Sequence, residues 1–254
     1  MRENESETTL VSWNILLDYK RRKFPVDSPQ YIPEQKERID IHVETLMNIG
    51  VPLDAVCLQE VQNKHGEYIA TRLGHRPGTW FNHNTTRRGG EHIGMFGTKV
   101  ASVEEVQTRH DKVAVFTKIG SLAVVGFHNR HEIFGPMRSE QTEDFLGRVV
   151  GQECAALMGD LNAVGWQKPN RLIRDAGFVS VFELLGLPEP KTHPVDAYRD
   201  IFYSPVKKLI LPHGTASDRI YVRGCEVLDA GVFESDAADH RGVWATVRPS
   251  VSAS

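Results

Sequence analysis

Ala155-Ala156-Leu157-Met158-Gly159-Asp160-Leu161-Asn162 is the stretch whose reading decides the fold. Its four leading apolar residues read as a strand, and a carboxylate and an amide follow at once, so the strand delivers Asp160 and Asn162 to a rim. The same arrangement recurs along the chain. The short apolar run Ala55-Val56-Cys57-Leu58 leads into Gln59-Glu60, and Ala123-Val124-Val125-Gly126-Phe127 ends at His128. Asn14 lies in the β-rich run Thr9 to Ile15, Asp218 opens Ser217-Asp218-Arg219-Ile220, and Asp239-His240 precedes a last strand, Val243 to Val247.

Working outward, Pro33 opens a helical pattern in which Ile39, Val43, Leu46 and Met47 recur and Gly50 supplies the stop. A second helix runs from about Gly66 to Leu73. Between Thr79 and His128 come β-like runs at Trp80 to His83, Gly94 to Thr98, Val113 to Ile119 and Leu122 to Phe127, with a tight turn at Gly120-Ser121. Helices near Glu140 to Val150 and Asn170 to Asp175, the latter stopped by Gly177, flank the decisive strand. Strands at Asp218 to Val222, Val227 to Ala230 and Gly242 to Val247 follow. Two largely antiparallel sheets with helices on their outer faces is the simplest packing of this order. The expected folded body is one domain from residue 8 to 249, with flexible tails at 1–7 and 250–254.

Composition bounds the rest. A chain of 254 residues with 40% hydrophobic and 25% charged residues can bury a full core, which excludes collagenous, coiled-coil and largely disordered readings. No window approaches the roughly 18 consecutive apolar residues of a membrane span, and MRENESETT lacks an apolar signal region. Three widely spaced cysteines, Cys57, Cys154 and Cys225, suit reduced thiols in a cytoplasmic protein better than a disulfide framework or a zinc site. The formal net charge of −3 announces no polyanion partner, yet an enzyme clustering carboxylates around a metal is acidic by simple counting.

Taken singly, each rim residue has an ordinary structural reading. Asn14 could cap a turn, Asp160-Leu161-Asn162 could be an Asx-type turn, Asp218-Arg219 a local ion pair and His128 a satisfied core histidine. Their coincidence at strand ends is harder to dismiss. Hard oxygen ligands converging with histidines describe a Mg²⁺ or Mn²⁺ site for phosphate chemistry.

Ser12-Trp13-Asn14, Leu58-Gln59-Glu60, Gly159-Asp160-Leu161-Asn162, Ser217-Asp218-Arg219-Ile220 and Asp239-His240 resemble, in order and spacing, the motifs of the endonuclease/exonuclease/phosphatase superfamily, the DNase I-like fold. The resemblance implies an α/β (α+β) four-layer sandwich of two mainly antiparallel sheets flanked by helices, and a Mg²⁺-dependent phosphoester hydrolase in which Mn²⁺ can substitute. It implies Glu60 as metal ligand with Asn14 beside it and Asp239 within reach of the metal. Asp160 would orient or deprotonate the attacking water, and Asn162 would position the phosphate. His240 would stabilise the transition state with Asp218 orienting it, and His128 would contact the phosphate or help the leaving group. The chain departs from the family pattern in Ala238-Asp239-His240, where Ser-Asp-His is usual, and in Phe127-His128-Asn129-Arg130, which makes Arg130 an extra phosphate-contact candidate. Leu16 stands where abasic-site nucleases tend to carry an acidic residue.

Cys57 to Gln62 and Trp13 to Leu16 are similar to the deadenylase and RNA 2′,3′-cyclic phosphatase branch, while the segments at 217–220 and 239–242 are similar to tyrosyl-DNA phosphodiesterases. Both imply action at nucleic-acid ends; the chain shows no amphipathic or apolar membrane loop, and a monomer with no membrane partner is expected. Lys20 to Lys23 and the loop Arg87-Arg88-Gly89-Gly90 could hold backbone phosphates, or be merely solvated. Trp166 could stack on a terminal base or anchor the following helix. A soluble inositol phosphatase and a catalytically silent nucleic-acid-binding module of the same fold are the competing functions.

Overall fold

The computed structural model describes residues 6–16, 35–75, 79–84, 91–131, 136–194 and 215–250. Its chain begins with β1 (Thr8–Asn14), α1 (Gln35–Asn48), β2 (Ala55–Val61), α2 (Asn63–Arg72), β3 (Thr79–Asn84) and β4 (Glu91–Phe96). Next come β5 (Glu104–Gln107), β6 (Val113–Ile119), β7 (Leu122–His128), α3 (Met137–Gly147), β8 (Ala155–Asp160) and α4 (Lys168–Asp175). It closes with β9 (Val179–Ser180), α5 (Val181–Leu184), β10 (Asp218–Arg223), β11 (Cys225–Phe233) and β12 (Gly242–Pro249). Two six-stranded sheets result, ordered β11-β12-β1-β2-β4-β3 and β5-β6-β7-β8-β10-β9. Each contains one parallel pair, β1 with β2 and β7 with β8, among antiparallel neighbours.

Alternation along the strands sorts the side chains into three cores, because successive residues point to opposite faces. Leu10, Ala55, Cys57, Met95, Val124, Ala156, Met158, Ile220 and Val243 fill the space between the sheets. Their neighbours Val11, Trp13, Val56 and Leu58 face outward from the first sheet and are covered by Ile39, Val43 and Leu46 of α1 and Ile69 of α2. On the second sheet Val125, Phe127 and Leu157 pack under Phe145 of α3 and Ile173 of α4. Phe127 stacks on Phe145 with ring centroids 4.7 Å apart and planes 8° from parallel. Truncating a phenylalanine buried this completely costs about 3–5 kcal/mol. Gly126 sets how closely the sheets approach, since a Cβ there would lie 2.4 Å from Cys57 Sγ.

The expected sandwich is therefore found, with adjustments. Helix α3 lies about three residues earlier than the periodicity suggests, and α4 begins at Lys168 with Pro169 in its first turn. Strand β5 carries Glu104, Glu105 and Gln107 on a sheet edge, so it lacks the apolar alternation by which strands are read, and β9 and α5 are too short to leave a pattern. At the two ends of the described body, Glu7 pairs with Arg248 at 2.6 Å, and Ser250 N donates to Gly224 O at 2.8 Å. Pro33 and the basic residues Lys20 to Lys23, Arg87 and Arg88 lie outside the described residues.

Candidate active site

Register places the polar strand ends in one row. His128 on β7 is level with Asp160 on β8, and Asp160 with Asp218 on β10. From the other sheet, Asn14 follows Leu10 and Ser12 on the inward-facing parity of β1. Glu60 should by parity point outward. A register shift between Leu58 and Val61, with Glu60 in the left-handed region at φ +58°, breaks the alternation, and Val61 returns to the outer core. A left-handed non-glycine residue costs on the order of 1–3 kcal/mol, and such strain persists where surroundings over-determine it. Leu16 and Asn162, both beside the same site, share this conformation at φ +58° and +49°. Gly159, before Asp160, crosses so close to β7 that a Cβ would sit 1.9 Å from Phe127 O.

Asp160 is the centre of the resulting cluster and is buried. Its Oδ2 accepts from Asn14 Nδ2 at 3.2 Å and its Oδ1 from Asn162 N at 2.8 Å. His128 Nε2 stands 3.8 Å and His240 Nδ1 4.0 Å from Oδ2. Asn14 Nδ2 also donates to Glu60 Oε1 at 3.3 Å, and its Oδ1 accepts from Leu16 N at 3.2 Å, which fixes the amide's orientation. On one side His128 Nδ1 faces Glu91 Oε1 at 3.0 Å, the oxygen that also accepts from Lys112 Nζ at 3.0 Å. On the other, His240 Nδ1 lies 2.8 Å from Asp218 Oδ2, which Ser217 Oγ also reaches at 3.0 Å. Thr192 Oγ1 accepts from both Ser217 N and Asp218 N at 3.0 Å, and Trp13 Nε1 donates to His240 O at 3.1 Å. Arg219 pairs with Glu189 at 3.5 Å and donates to Ala216 O, so the local pairing with Asp218 read as an alternative is not its arrangement.

Burial and charge oppose each other here. Burial pushes the Asp160 carboxyl upward, but His240 and His128, the amide of Asn162 and then His193 outweigh it and hold the group below its ordinary value. Burial likewise disfavours charge on His240, yet Asp218, Asp239 and Asp160 raise the imidazole to about 10. At neutral pH the centre therefore holds an ionised Asp160 beside a charged His240.

Among the described residues, three groups of donors could hold a cation: Glu60 with Glu91 and His128, Asp160 with Asp218 and His240, and His193 with Asp239 and His240. The first suits a hard divalent ion best, being dominated by carboxylates. Glu60 falls in it, while Asn14 presents its nitrogen to the carboxylates and Asp239 lies on the far side, against His193 at 3.7 Å and His240 at 4.0 Å. Asn162 spends its side-chain amide on Asn129 O at 2.8 Å. Arg130 is half-buried, its main-chain nitrogen held by Gln141, and Trp166 is 76% exposed, which excludes the buried-anchor reading. The sequence reading missed Glu91, Lys112, Thr192 and His193. Glu91 sits after two glycines and His193 in Lys-Thr-His-Pro, so both look like loop residues, and only the assembled sheets bring them to the rim.

The sequence signature of the endonuclease/exonuclease/phosphatase family matches residues 11–249. The chain belongs to this family. Family membership points to hydrolysis of phosphoester bonds, and the family's general divalent-metal dependence agrees with the clustered acidic and histidine donors. Among solved structures, the chain is similar to ANGEL2, a 2′,3′-cyclic phosphatase in complex with adenosine-2′,3′-vanadate, at 15% identity over 98% of this chain and 97% of that one, with a TM-score of 0.72. It is similar to the human Nocturnin catalytic domain with bound sulfate at 18% identity over 95% and 93%, TM-score 0.66. It is also similar to D. rerio TDP2 complexed with single-strand DNA product at 15% identity over 96% and 100%, TM-score 0.66. No curated protein sequence matches the chain. At such identities these likenesses speak for the fold. No helix among the described residues is long and apolar enough to cross a membrane.

Proposed function

We propose that the protein is a Mg²⁺-dependent phosphodiesterase or phosphatase acting at nucleic-acid ends, with Mn²⁺ able to substitute. The observation that carries this reading is the position of Asp160, a buried, ionised carboxylate between two histidines, one of them backed by Asp218. Asp160 would orient a water for in-line attack on phosphorus and accept its proton. His240, charged and held by Asp218, would stabilise the negative charge that develops on the phosphoryl oxygens. His128, fixed by Glu91, would contact the phosphate or the leaving oxygen, with Asn162 and Arg130 as further positioning groups. Glu60 would hold the cation with Glu91 as its neighbouring carboxylate. Asn14 keeps Glu60 and Asp160 in place through its amide hydrogens, and Asp239 is a more distant oxygen donor. A bound divalent ion supplies Lewis-acid polarisation and charge neutralisation at the phosphoryl group.

Support for nucleic-acid ends comes from the branch motifs and from the ligands named for the similar structures, an adenosine-2′,3′-vanadate and a single-strand DNA product. Trp166, exposed four residues after Asn162, offers a ring on which a terminal base would stack, and Arg87 with Arg88 would hold backbone phosphates. Cysteines free of disulfides suit the cytoplasm and a monomer acting there. The test is a panel of 2′,3′-cyclic-phosphate RNA, 3′-adenylated RNA, 5′-tyrosyl DNA, nicked abasic DNA and an inositol phosphate, each with Mg²⁺ and with chelator. Chelator-sensitive turnover of a nucleic-acid end is expected. Turnover of the inositol phosphate alone would replace the substrate class, and no turnover of any member with either metal would favour the silent binding module.

A further inference from the structure

Beside the Asp218–His240 pair lies a donor set in which the hydrolytic assignment uses His240 and, more distantly, Asp239, but gives His193 no role. His193 stacks on His240 with ring centroids 4.2 Å apart and planes inclined by 28°. Its Nε2 is 3.7 Å from Asp239 Oδ2, and His240 Nε2 is 4.0 Å from Asp239 Oδ1. One ligand atom from each of the three residues falls within 4.8 Å of the others. We propose that His193, Asp239 and His240 form a transition-metal site selective for Zn²⁺-like ions over Mg²⁺, separate from Glu60, and that filling it switches the hydrolase off.

The donor chemistry points this way. Two imidazoles and one carboxylate are the set that borderline ions such as Zn²⁺ and Co²⁺ select, and three protein ligands leave a position for water. Mg²⁺ prefers oxygen ligands and holds its own waters, so it would favour the carboxylates around Glu60. His240 is already oriented as a ligand. Its Nδ1 is engaged by Asp218 at 2.8 Å, which turns Nε2 toward Asp239, and a carboxylate behind a ligating histidine fixes the ring and raises its basicity. Asp218 in turn is held by Ser217, whose main chain is tied to Thr192, the residue before His193. The main chain of His193 is pinned by a reciprocal pair of bonds with Thr215, at 3.0 and 2.7 Å. Metal–ligand bonds of 2.0–2.1 Å place tetrahedral donors about 3.4 Å apart, and the three donor atoms lie within 4.8 Å of one another, so binding would draw them together by at most about 1.4 Å.

The consequence follows from His240 serving two masters. An imidazole whose Nε2 is bonded to a metal carries no proton there and can no longer meet the charge developing on a phosphoryl oxygen. That inhibitory consequence rests on the proposed hydrolase chemistry, whereas metal binding itself does not.

The two are separated by titrating Co²⁺ into the full chain in excess Mg²⁺, without substrate, and reading the visible ligand-field bands. One equivalent of low-symmetry Co²⁺ is expected, displaced by Zn²⁺. His193→Phe, which keeps a ring against His240, should abolish the bands. Asp218→Asn should weaken Co²⁺ about 10–100-fold. Circular dichroism and melting confirm that each variant is folded, and His193→Gln gives a second ligand deletion should the phenylalanine variant fail to fold. Bands that persist in His193→Phe or His193→Gln, or that are lost in Glu60→Gln instead, would overturn the site. In assays with excess Mg²⁺, half-inhibition by Zn²⁺ should require at least tenfold more Zn²⁺ in His193→Phe than in wild type. Intact Co²⁺ binding without any Zn²⁺ inhibition would sink the switch while leaving the metal site standing.

Discussion

The two histidines that flank Asp160 sit in opposite surroundings. His128 is wedged between Glu60 and Glu91, and Glu91 shares its oxygen with Lys112, so positive charge already answers part of that side. His240 stands among Asp218, Asp239 and Asp160, and these carboxylates raise it to about 10. The contrast divides labour within one buried site. The Glu60 side offers hard oxygens to a cation, and the Asp218 side offers a fixed positive charge to the reaction, with Asp160 serving both.

Breaking the shared member should hurt most. Asp160→Asn keeps size and fold but cannot accept the proton of water, and a loss of about 10²–10⁴-fold in kcat is expected from single-turnover rates. Wild-type turnover in that variant would remove Asp160 from the chemistry. His240→Ala should cost about 10²–10³-fold. Because Asp218 acts through His240, the double variant Asp218→Asn/His240→Ala should be little worse than His240→Ala alone, and additive losses would dissolve the pair.

The pH dependence sharpens the contrast. His240 is held above its ordinary value, so its charged form, and whatever stability that charge lends the fold, is present through neutrality and is lost as pH rises toward about 10. Asp218→Asn should move the alkaline limb of the rate profile to lower pH. Glu91→Gln should leave that limb in place and instead weaken Mg²⁺ about 10–100-fold by calorimetry. If both variants shift the limb alike, the two sides do not differ in role. The smallest effect belongs to the periphery: Trp166→Ala should raise KM for an oligonucleotide by the equivalent of about 1–3 kcal/mol and leave a small chromogenic phosphodiester unaffected.

Much of this was legible in the chain because strands announce both their faces and their ends. The runs before Glu60, His128 and Asp160 are apolar enough to be read as strands, and the polar residue that ends each one marks the rim. What escaped had no local pattern. Glu91 begins a strand after a Gly-Gly loop, and His193 belongs to no regular element, so neither acquires meaning until β4 and the 192–194 segment are placed beside residues far away in sequence. The outward parity of Glu60 was a further trap, since only the bulge at Leu58 to Val61 turns it inward. Asp239, grouped with the metal region from its neighbourhood in sequence, faces the histidines His193 and His240.

One contact described above governs how the site comes into being. Trp13 Nε1 donates to His240 O across 227 positions of sequence, in a sheet where β1 is clamped between β2 and β12. Strands β7, β8 and β10 can bring His128, Asp160 and Asp218 into a row by themselves, but Asn14, Glu60 and His240 arrive only once β1, β2 and β12 have found one another, and closing such long loops is slow. Partially folded forms of the protein should therefore be inert. Activity and the burial of Trp13 should return together during refolding.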